Sequence, residues 1–120
     1  MKMTRIAAIT TALAAAALAA RAVTSEHSST NGYAAITNSS AQGATWTPKH
    51  VFFVFDSPKT GNVAIIRAAK GITAPLGAFS FTNEASALWI APTEFPIRPG
   101  DVLALTSSVP AFSAQIEKAE

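Results

Sequence analysis

From Tyr33 to the C-terminus the chain consists of short apolar runs separated by turn-forming residues, and no other feature constrains its fold as strongly. The runs are rich in β-branched and aromatic residues, which favour strands. Gly and Pro recur between the runs, and no helical period is present after residue 30. The pattern predicts strands at residues 33–37, 50–56, 62–69, 76–82, 86–91, 94–97, 101–107 and 111–117.

These runs predict a mainly β domain over residues 33–120. Seven or eight short antiparallel strands joined by turns are typical of a β-sandwich or a jelly-roll-like barrel. Pro92 precedes the run at 94–97 and Pro96 lies within it, which predicts an edge strand because proline cannot donate to a neighbouring strand.

Three segments have the composition of chain reversals. Residues 57–62 (Ser-Pro-Lys-Thr-Gly-Asn) combine a fixed proline φ with a glycine, as a hairpin loop requires. Lys70-Gly71 and Pro75 bracket a second expected reversal. Residues 98–101 place Pro99 and Gly100 at the two central positions of a four-residue turn, the preference of a type II turn.

The N-terminal residues 1–23 form a different segment, an Ala-rich leader. Lys2 and Arg5 precede an uncharged apolar run, and the small residues at 17–19 and 20–22 have the spacing of a signal-peptidase site. Alanine is the strongest helix former, so we expect a helix. Two interpretations stay open, a cleaved secretory signal peptide and a retained arm that contacts neighbouring subunits or a membrane. Residues 24–32 are polar and predict a linker.

The distribution of charge argues against a nucleic-acid-binding function. The formal net charge is +2, but Lys2, Arg5 and Arg21 all lie in the leader. From Glu26 onward there are six basic and seven acidic residues. A domain this close to neutral lacks the basic surface that binds phosphate backbones.

The residues needed for catalysis or metal binding are scarce. The 120 residues include no cysteine and only two histidines, His27 and His50. A thiolate metal site and a cysteine nucleophile are therefore excluded. No G-x-S-x-G elbow, phosphate-binding G-x-x-x-x-G-K-[ST] loop or EF-hand calcium loop is present. We expect a non-enzymatic protein without a metal or cofactor.

Several of the predicted strands are apolar on both faces, unlike a sandwich strand with one face in water. Residues 51–55, Val-Phe-Phe-Val-Phe, are the clearest case. About 90 folded residues form one core, which cannot bury both faces of four strands. Neighbouring copies are therefore expected to cover the second faces, unless those faces are mostly alanine and need no cover. The candidate interface residues are Val51, Phe53, Phe55, Ile66, Trp89, Leu103 and Leu105.

In general outline this pattern resembles the small β-sandwich proteins of phage particles and of bacterial surface fibres. It lacks the paired cysteines of usher-type pilins and the Gly-Phe-Thr leader junction of type IV pilins. We therefore predict a structural subunit that self-assembles through apolar sandwich faces. Its partners are copies of itself and other subunits, and its setting is a virion, as a phage capsid, decoration or tail protein.

A second hypothesis is a secreted or cell-surface binding module. Tyr33 and Trp46 lie next to polar loops, where exposed aromatic rings could stack on a carbohydrate or another cell-surface ligand. The structural alternative for Trp46 is that its ring anchors the loop to the core. An extracellular location follows if the leader is a signal peptide that is removed.

Overall fold

The computed structural model describes residues 22–39 and 43–120, which form six antiparallel strands and, within those ranges, no helix. The strands are β1 (Ala22–Ser29), β2 (Tyr33–Thr37), β3 (Thr47–Ala69), β4 (Ile72–Ile90), β5 (Val102–Ser107) and β6 (Phe112–Ala119). The predicted antiparallel, mainly β class is confirmed. The helix predicted for residues 1–23 lies outside the described residues, except that Ala22 and Val23 belong to β1. The described part of the chain holds no helix long and apolar enough to cross a membrane.

The strand count is six rather than seven or eight because β3 and β4 each unite two predicted strands, the strand predicted at 94–97 is absent, and β1 forms where a linker was predicted. β3 includes the runs at 50–56 and 62–69, and β4 includes the run at 76–82 and that at 86–91 except Ala91. β2 has the predicted bounds, and β5 and β6 begin one residue later than predicted. The edge strand predicted at 94–97 does not form; Ile97 alone makes an isolated bridge, with Trp46.

The segment at 57–62 does not reverse the chain. β3 continues through it, and the pairing with β4 shifts register between Val54 and Lys59 and again at Gly61. The reversal occurs at Lys70-Gly71, where φ is 53° and 79°. Two consecutive positive φ angles are typical of a type I′ hairpin turn, whose twist matches that of the flanking strands. The reversal expected between Lys70-Gly71 and Pro75 is therefore confirmed and lies at Lys70-Gly71, with Pro75 already in β4. β3 and β4 form one long ribbon.

This ribbon is shared by two halves of the sheet. In the half that we call the β1 half, the strand order is β1-β6-β3-β4, with residues 47–54 of β3 and 86–90 of β4. In the β2 half the order is β2-β5-β3-β4, with residues 63–68 and 73–79 of the same two strands. Each half thus contains four antiparallel strands, a jelly-roll-like arrangement within one six-stranded sheet. β1 and β2, at the two ends of the sheet, also contact each other, so the sheet nearly closes into a barrel.

The inner faces of the two halves enclose one hydrophobic core. The ring of Phe53 meets that of Phe112 edge-on with centroids 5.6 Å apart, and Phe55 stacks on Phe81 at 4.9 Å. Aromatic pairs in these geometries contribute stability beyond their buried area. The largest fully buried side chains are Phe53, Ile65, Ile97, Leu103, Leu105, Ile116, Val51, Val63 and Pro48.

Most of the polar segment at 24–32, for which the sequence predicts a linker, instead belongs to β1. β1 pairs with β6 along its whole length, from Ala22 opposite Ala119 to Ser29 opposite Phe112. Its side chains alternate between exposed and half-buried positions. A polar sequence can form such an edge strand because backbone hydrogen bonds to β6 stabilise it without a strongly apolar face.

The turn at 98–101 has the predicted form. The Asp101 N–H donates to the Arg98 carbonyl at 2.9 Å, and Gly100 has a φ of 90°. A positive φ at the third turn residue defines type II and explains the glycine there. The Asp101 carboxylate accepts a further hydrogen bond from the Arg98 N–H at 3.0 Å, which closes the turn that leads into β5.

Candidate interaction surface

The two faces of β3 and β4 in the β1 half differ in exposure. Val51 and Phe53 on β3, and Trp89 on β4, point into the core. The alternate residues point outward. Four of these outward side chains are large and apolar, with exposed fractions between 36% and 66%: Phe52, Val54, Leu88 and Ile90. We call this set the outer apolar surface.

The outer apolar surface is contiguous because its residues are neighbours across the ribbon. Phe52 lies opposite Leu88, and His50 lies opposite Ile90. The Ala91 N–H donates to the Lys49 carbonyl at 2.9 Å, so Lys49 and Ala91 are a hydrogen-bonded pair. Along an antiparallel ladder, hydrogen-bonded and non-hydrogen-bonded pairs alternate. Phe52 and Leu88 form a non-hydrogen-bonded pair, the type in which opposite side chains are closest.

Polar groups surround this surface on the side of β6. The His50 Nε2 atom lies 3.0 Å from Glu117 Oε1. Gln115 is opposite Phe52, and Ser113 is opposite Val54, on the neighbouring strand β6. An apolar centre with a polar rim is the usual anatomy of a protein–protein interface.

The interface residues expected from the sequence lie elsewhere. Val51, Phe53, Phe55, Trp89, Leu103 and Leu105 are all buried in the core of the chain itself. They are therefore not available to a second chain. Both faces of residues 51–55 are apolar, so the sequence predicted more apolar surface than the core could bury. The structure buries the face of Val51, Phe53 and Phe55 and exposes the face of Phe52 and Val54.

Ile66, the remaining candidate, is half-buried on the outside of the β2 half. It lies opposite Ala104 on β5 and Pro75 on β4. Ala35 and Ala64 are on the same outer face, so the β2 half comes nearer to the alternative in which alanines make cover unnecessary, although Tyr33 is 51% exposed there. The outer faces of the two halves therefore differ, and the large exposed side chains concentrate on the β1 half.

A weaker sequence signal could have identified the outer face. In residues 50–56 the polar residues His50 and Asp56 share the even-numbered face with Phe52 and Val54. Side chains two apart in a strand lie on the same face, so polar residues at both ends mark that face as the one nearer solvent. The uninterrupted apolar run between them conceals this alternation.

The two aromatic residues of the binding-module hypothesis do not come together. Trp46 is only 3% exposed, and Lys118 Nζ lies 4.3 Å from the centroid of its ring. Its backbone also exchanges two hydrogen bonds with Ile97, of 2.8 and 3.1 Å. Tyr33 is 51% exposed and begins β2, opposite Thr106. Trp46 thus anchors its loop to the core, and the two rings do not form one stacking platform.

Two surface depressions lie next to the residues described above, one beside Val54 and one beside Trp46. One, of about 340 Å³, adjoins the outer apolar surface at Val54 and is also lined by Asp56 and Phe112. The other, of about 310 Å³, lies beside Trp46, where the ammonium group of Lys118 is 3.3 Å from the Glu120 carboxylate. Within residues 22–39 and 43–120, no three His, Asp or Glu side chains cluster as a metal site would require.

No protein-family model and no curated protein matches this chain. Among solved structures, it is similar to the Drosophila NLP core, described for pentamer formation and histone binding, at 9% identity over 82% of this chain and 95% of that one, with a TM-score of 0.48. A capsid chain of Helicobacter pylori bacteriophage KHP30 has 9% identity over 84% and 87%, with a TM-score of 0.48. A Bacillus endospore appendage protein, from disulfide-linked pili, has 15% identity over 82% and 80%, with a TM-score of 0.44.

Proposed function

We propose that this chain is a non-enzymatic structural subunit that associates with copies of itself through the outer apolar surface. The observation that carries this proposal is the contiguous exposure of Phe52, Val54, Leu88 and Ile90 on a chain that has a separate core of buried side chains. These side chains add nothing to the packing of the core. Contiguous exposed apolar patches with a polar rim are typical of sites that contact another protein.

The size of the surface favours an assembly over an isolated tight dimer. Covering one half-exposed large apolar side chain contributes about 1 kcal/mol, so the eight side chains covered where two copies meet contribute about 8 kcal/mol. Association of two proteins costs about 4–15 kcal/mol in lost freedom of motion. The surface by itself therefore supports a weak contact, which becomes effective when each copy makes several contacts at once.

The charges of the described residues are compatible with close approach of identical copies. Within residues 22–39 and 43–120 there are six basic and seven acidic residues, a formal net charge of −1. The outer apolar surface is uncharged, and at its rim His50 and Glu117 contact each other. Two copies thus meet without strong like-charge repulsion.

Within this proposal, the specific setting is a virion, with the chain acting as a phage capsid, decoration or tail protein beside other subunits. Jelly rolls are common among viral capsid domains, although the same architecture occurs in lectins. A bacterial surface fibre is the alternative assembly. The role of residues 1–21, as an arm or as a leader that directs export, is part of the proposal and lies outside the described residues.

The test is a measurement of molar mass by light scattering during size-exclusion chromatography, with the full chain over a range of concentrations. We expect wild-type protein to self-associate and Leu88→Ser to associate about 5- to 30-fold more weakly, since each contact loses about 1–2 kcal/mol. The matched control is Ile72→Ser, which removes a side chain that is 73% exposed at the far end of the β3–β4 ribbon. A wild-type protein that stays monomeric throughout would contradict the proposal, and so would equal effects of the two variants.

A further inference from the structure

We propose that residues 86–90 of β4 pair edge to edge, in antiparallel orientation, with the same residues of a second copy of this chain. This inference rests on the proposed function, because that function supplies the partner. It adds how two copies meet, through the backbone of one strand as well as through apolar side chains.

The edge of β4 in the β1 half is open. Among the described residues β4 pairs only with β3. The Ala91 N–H donates to Lys49 of β3, and backbone groups alternate in direction along a strand. The N–H and C=O groups of Ser86, Leu88 and Ile90 therefore point away from β3, towards the open edge.

This edge lacks the features that keep other edges from pairing. No charged residue and no proline occurs in residues 85–91. By contrast, the β2-half portion of β4 includes Pro75 and a register shift opposite Ile65 and Ile66. The β1 edge carries Glu26. Charges, prolines and irregularities are the usual means by which proteins prevent edge pairing, and residues 86–90 have none of them.

The strand β2 is the other uncharged edge, but it is less suited to pairing. Its Tyr33 N–H already donates to Ser29 Oγ at 3.0 Å and to Asn31 Oδ1 at 3.2 Å. The outward side chains along the rest of β2, Ala35 and Thr37, are small. The β4 edge, by contrast, includes Leu88 and Ile90 of the outer apolar surface.

With a two-fold axis at Leu88, the backbone N–H and C=O groups that point to the open edge all form hydrogen bonds with the second copy. In this register Leu88 lies opposite Leu88 of the second copy, and Ser86 lies opposite Ile90. Side chains directly opposite each other share a face, so Leu88 and Ile90 of the two copies contact each other. Phe52 and Val54 lie one strand further in, on β3, and stay available to a further copy in the assembly. Glu84 and Glu94 lie outside the paired segment in both copies, so no like charges are brought opposite each other.

The first test replaces Ser86 by proline in the full chain. The Ser86 N–H points to the open edge, so proline removes a donor that pairing needs and none that joins β4 to β3. We expect dimerisation at least about tenfold weaker, since one hydrogen bond is lost in each copy. The matched control is Ala35→Pro on the edge strand β2. The Asn38 N–H donates to the carbonyl of Asp101, the residue before β5. Because N–H groups alternate in direction along a strand, the Ala35 N–H points away from β5. Ala35→Pro should dimerise as wild type does.

The second test does not depend on tolerance of proline. Leu88→Lys and Leu88→Glu should each be at least about tenfold weaker in self-association, because the axis brings like charges together. An equimolar mixture of the two should recover association as a heterodimer, which sedimentation velocity resolves. Recovery supports the pairing of Leu88 with its own copy.

The outcomes separate this inference from the proposed function. If wild type associates, Leu88→Ser weakens association and Ser86→Pro behaves as wild type, the copies meet through the outer apolar surface alone and edge pairing is overturned. Failure of the two charged variants to recover association in the mixture overturns the Leu88-centred pairing. A wild-type chain that never associates overturns both proposals.

Discussion

Gly77 lies so close to the indole ring of Trp89 that a Cβ atom at position 77 would overlap Trp89 Nε1. Gly77 is in the β2-half portion of β4, and Trp89 is in the β1-half portion of the same strand. The indole also stacks on Phe95, with ring centroids 6.2 Å apart. This contact joins the two parts of β4 through the core and holds Trp89 inward, with Leu88 and Ile90 consequently outward.

Gly77→Ala should destabilise the fold by about 1–3 kcal/mol, because a core indole must move to accommodate the methyl group. The free energy of unfolding from urea titrations at low protein concentration measures this. Ser80→Ala is the control, since Ser80 is exposed on the same strand and its replacement should change stability by no more than about 0.5 kcal/mol. Equal stability of Gly77→Ala and wild type would show that Trp89 is not held in this way.

The adjacent residues Phe53 and Phe52 should respond differently to replacement by alanine. Phe53 is fully buried, so Phe53→Ala should cost about 3–5 kcal/mol of stability. Phe52 retains part of its exposure in the folded chain, so Phe52→Ala should cost about half as much or less. Phe52→Ala should instead weaken self-association. Urea titration and light scattering on both variants check this, and the opposite ranking of stabilities would mean that the faces of β3 are assigned in reverse.

Trp46→Ala should act on stability. The ring is buried beneath Lys118, so its loss should cost about 3–5 kcal/mol. Tyr33→Ala, which removes a half-exposed ring, should stay within about 1 kcal/mol of wild type. Thermal and urea unfolding measure both changes. A fully stable Trp46→Ala variant with altered carbohydrate binding would revive the binding-module hypothesis.

Stability should decrease in mildly acidic solution because of His27. Burial, and secondly the positive charge of Lys118, lower the pKa of His27 below its ordinary value of 6.5. The unfolded chain then binds more protons than the folded chain, so this contribution is complete above pH 6.5 and is lost as the pH falls towards the lowered pKa.

The measurement is the free energy of unfolding of wild type and His27→Gln, between about pH 7.5 and pH 5. Glutamine retains a polar group near Ser25 Oγ, which lies 3.0 Å from His27 Nε2. The variant should lose less stability than wild type over this range, because glutamine does not titrate. Identical losses in both proteins would assign the pH dependence to other groups.

Local sequence signals predicted the features that depend on neighbouring residues. The type II turn at 98–101 and the reversal at Lys70-Gly71 were both accessible, because glycine at a position of positive φ is a local requirement. The segment at 57–62 has similar turn residues, yet β3 passes through it. Pairing with the long strand β4 on one side overrides the local preference there.

In the polar segment at 24–32, by contrast, the sequence predicted a linker where the structure has a strand. Its composition is that of a linker, but β6 supplies a complete row of backbone partners for β1. Such pairing depends on residues about ninety positions away and leaves little trace in local composition.

Alternating apolar runs and turn residues thus determined that this chain forms an antiparallel β fold with more apolar strand surface than its core needs. Only the tertiary structure decided which face of each strand is the surplus one. Both faces of residues 51–55 are apolar, so hydrophobicity alone does not distinguish them, and a shift of one residue would exchange them. The choice follows from distant partners, since Val51 is paired between Trp89 and Ile116, which also face the core, and Phe52 between Leu88 and Gln115, which face outward.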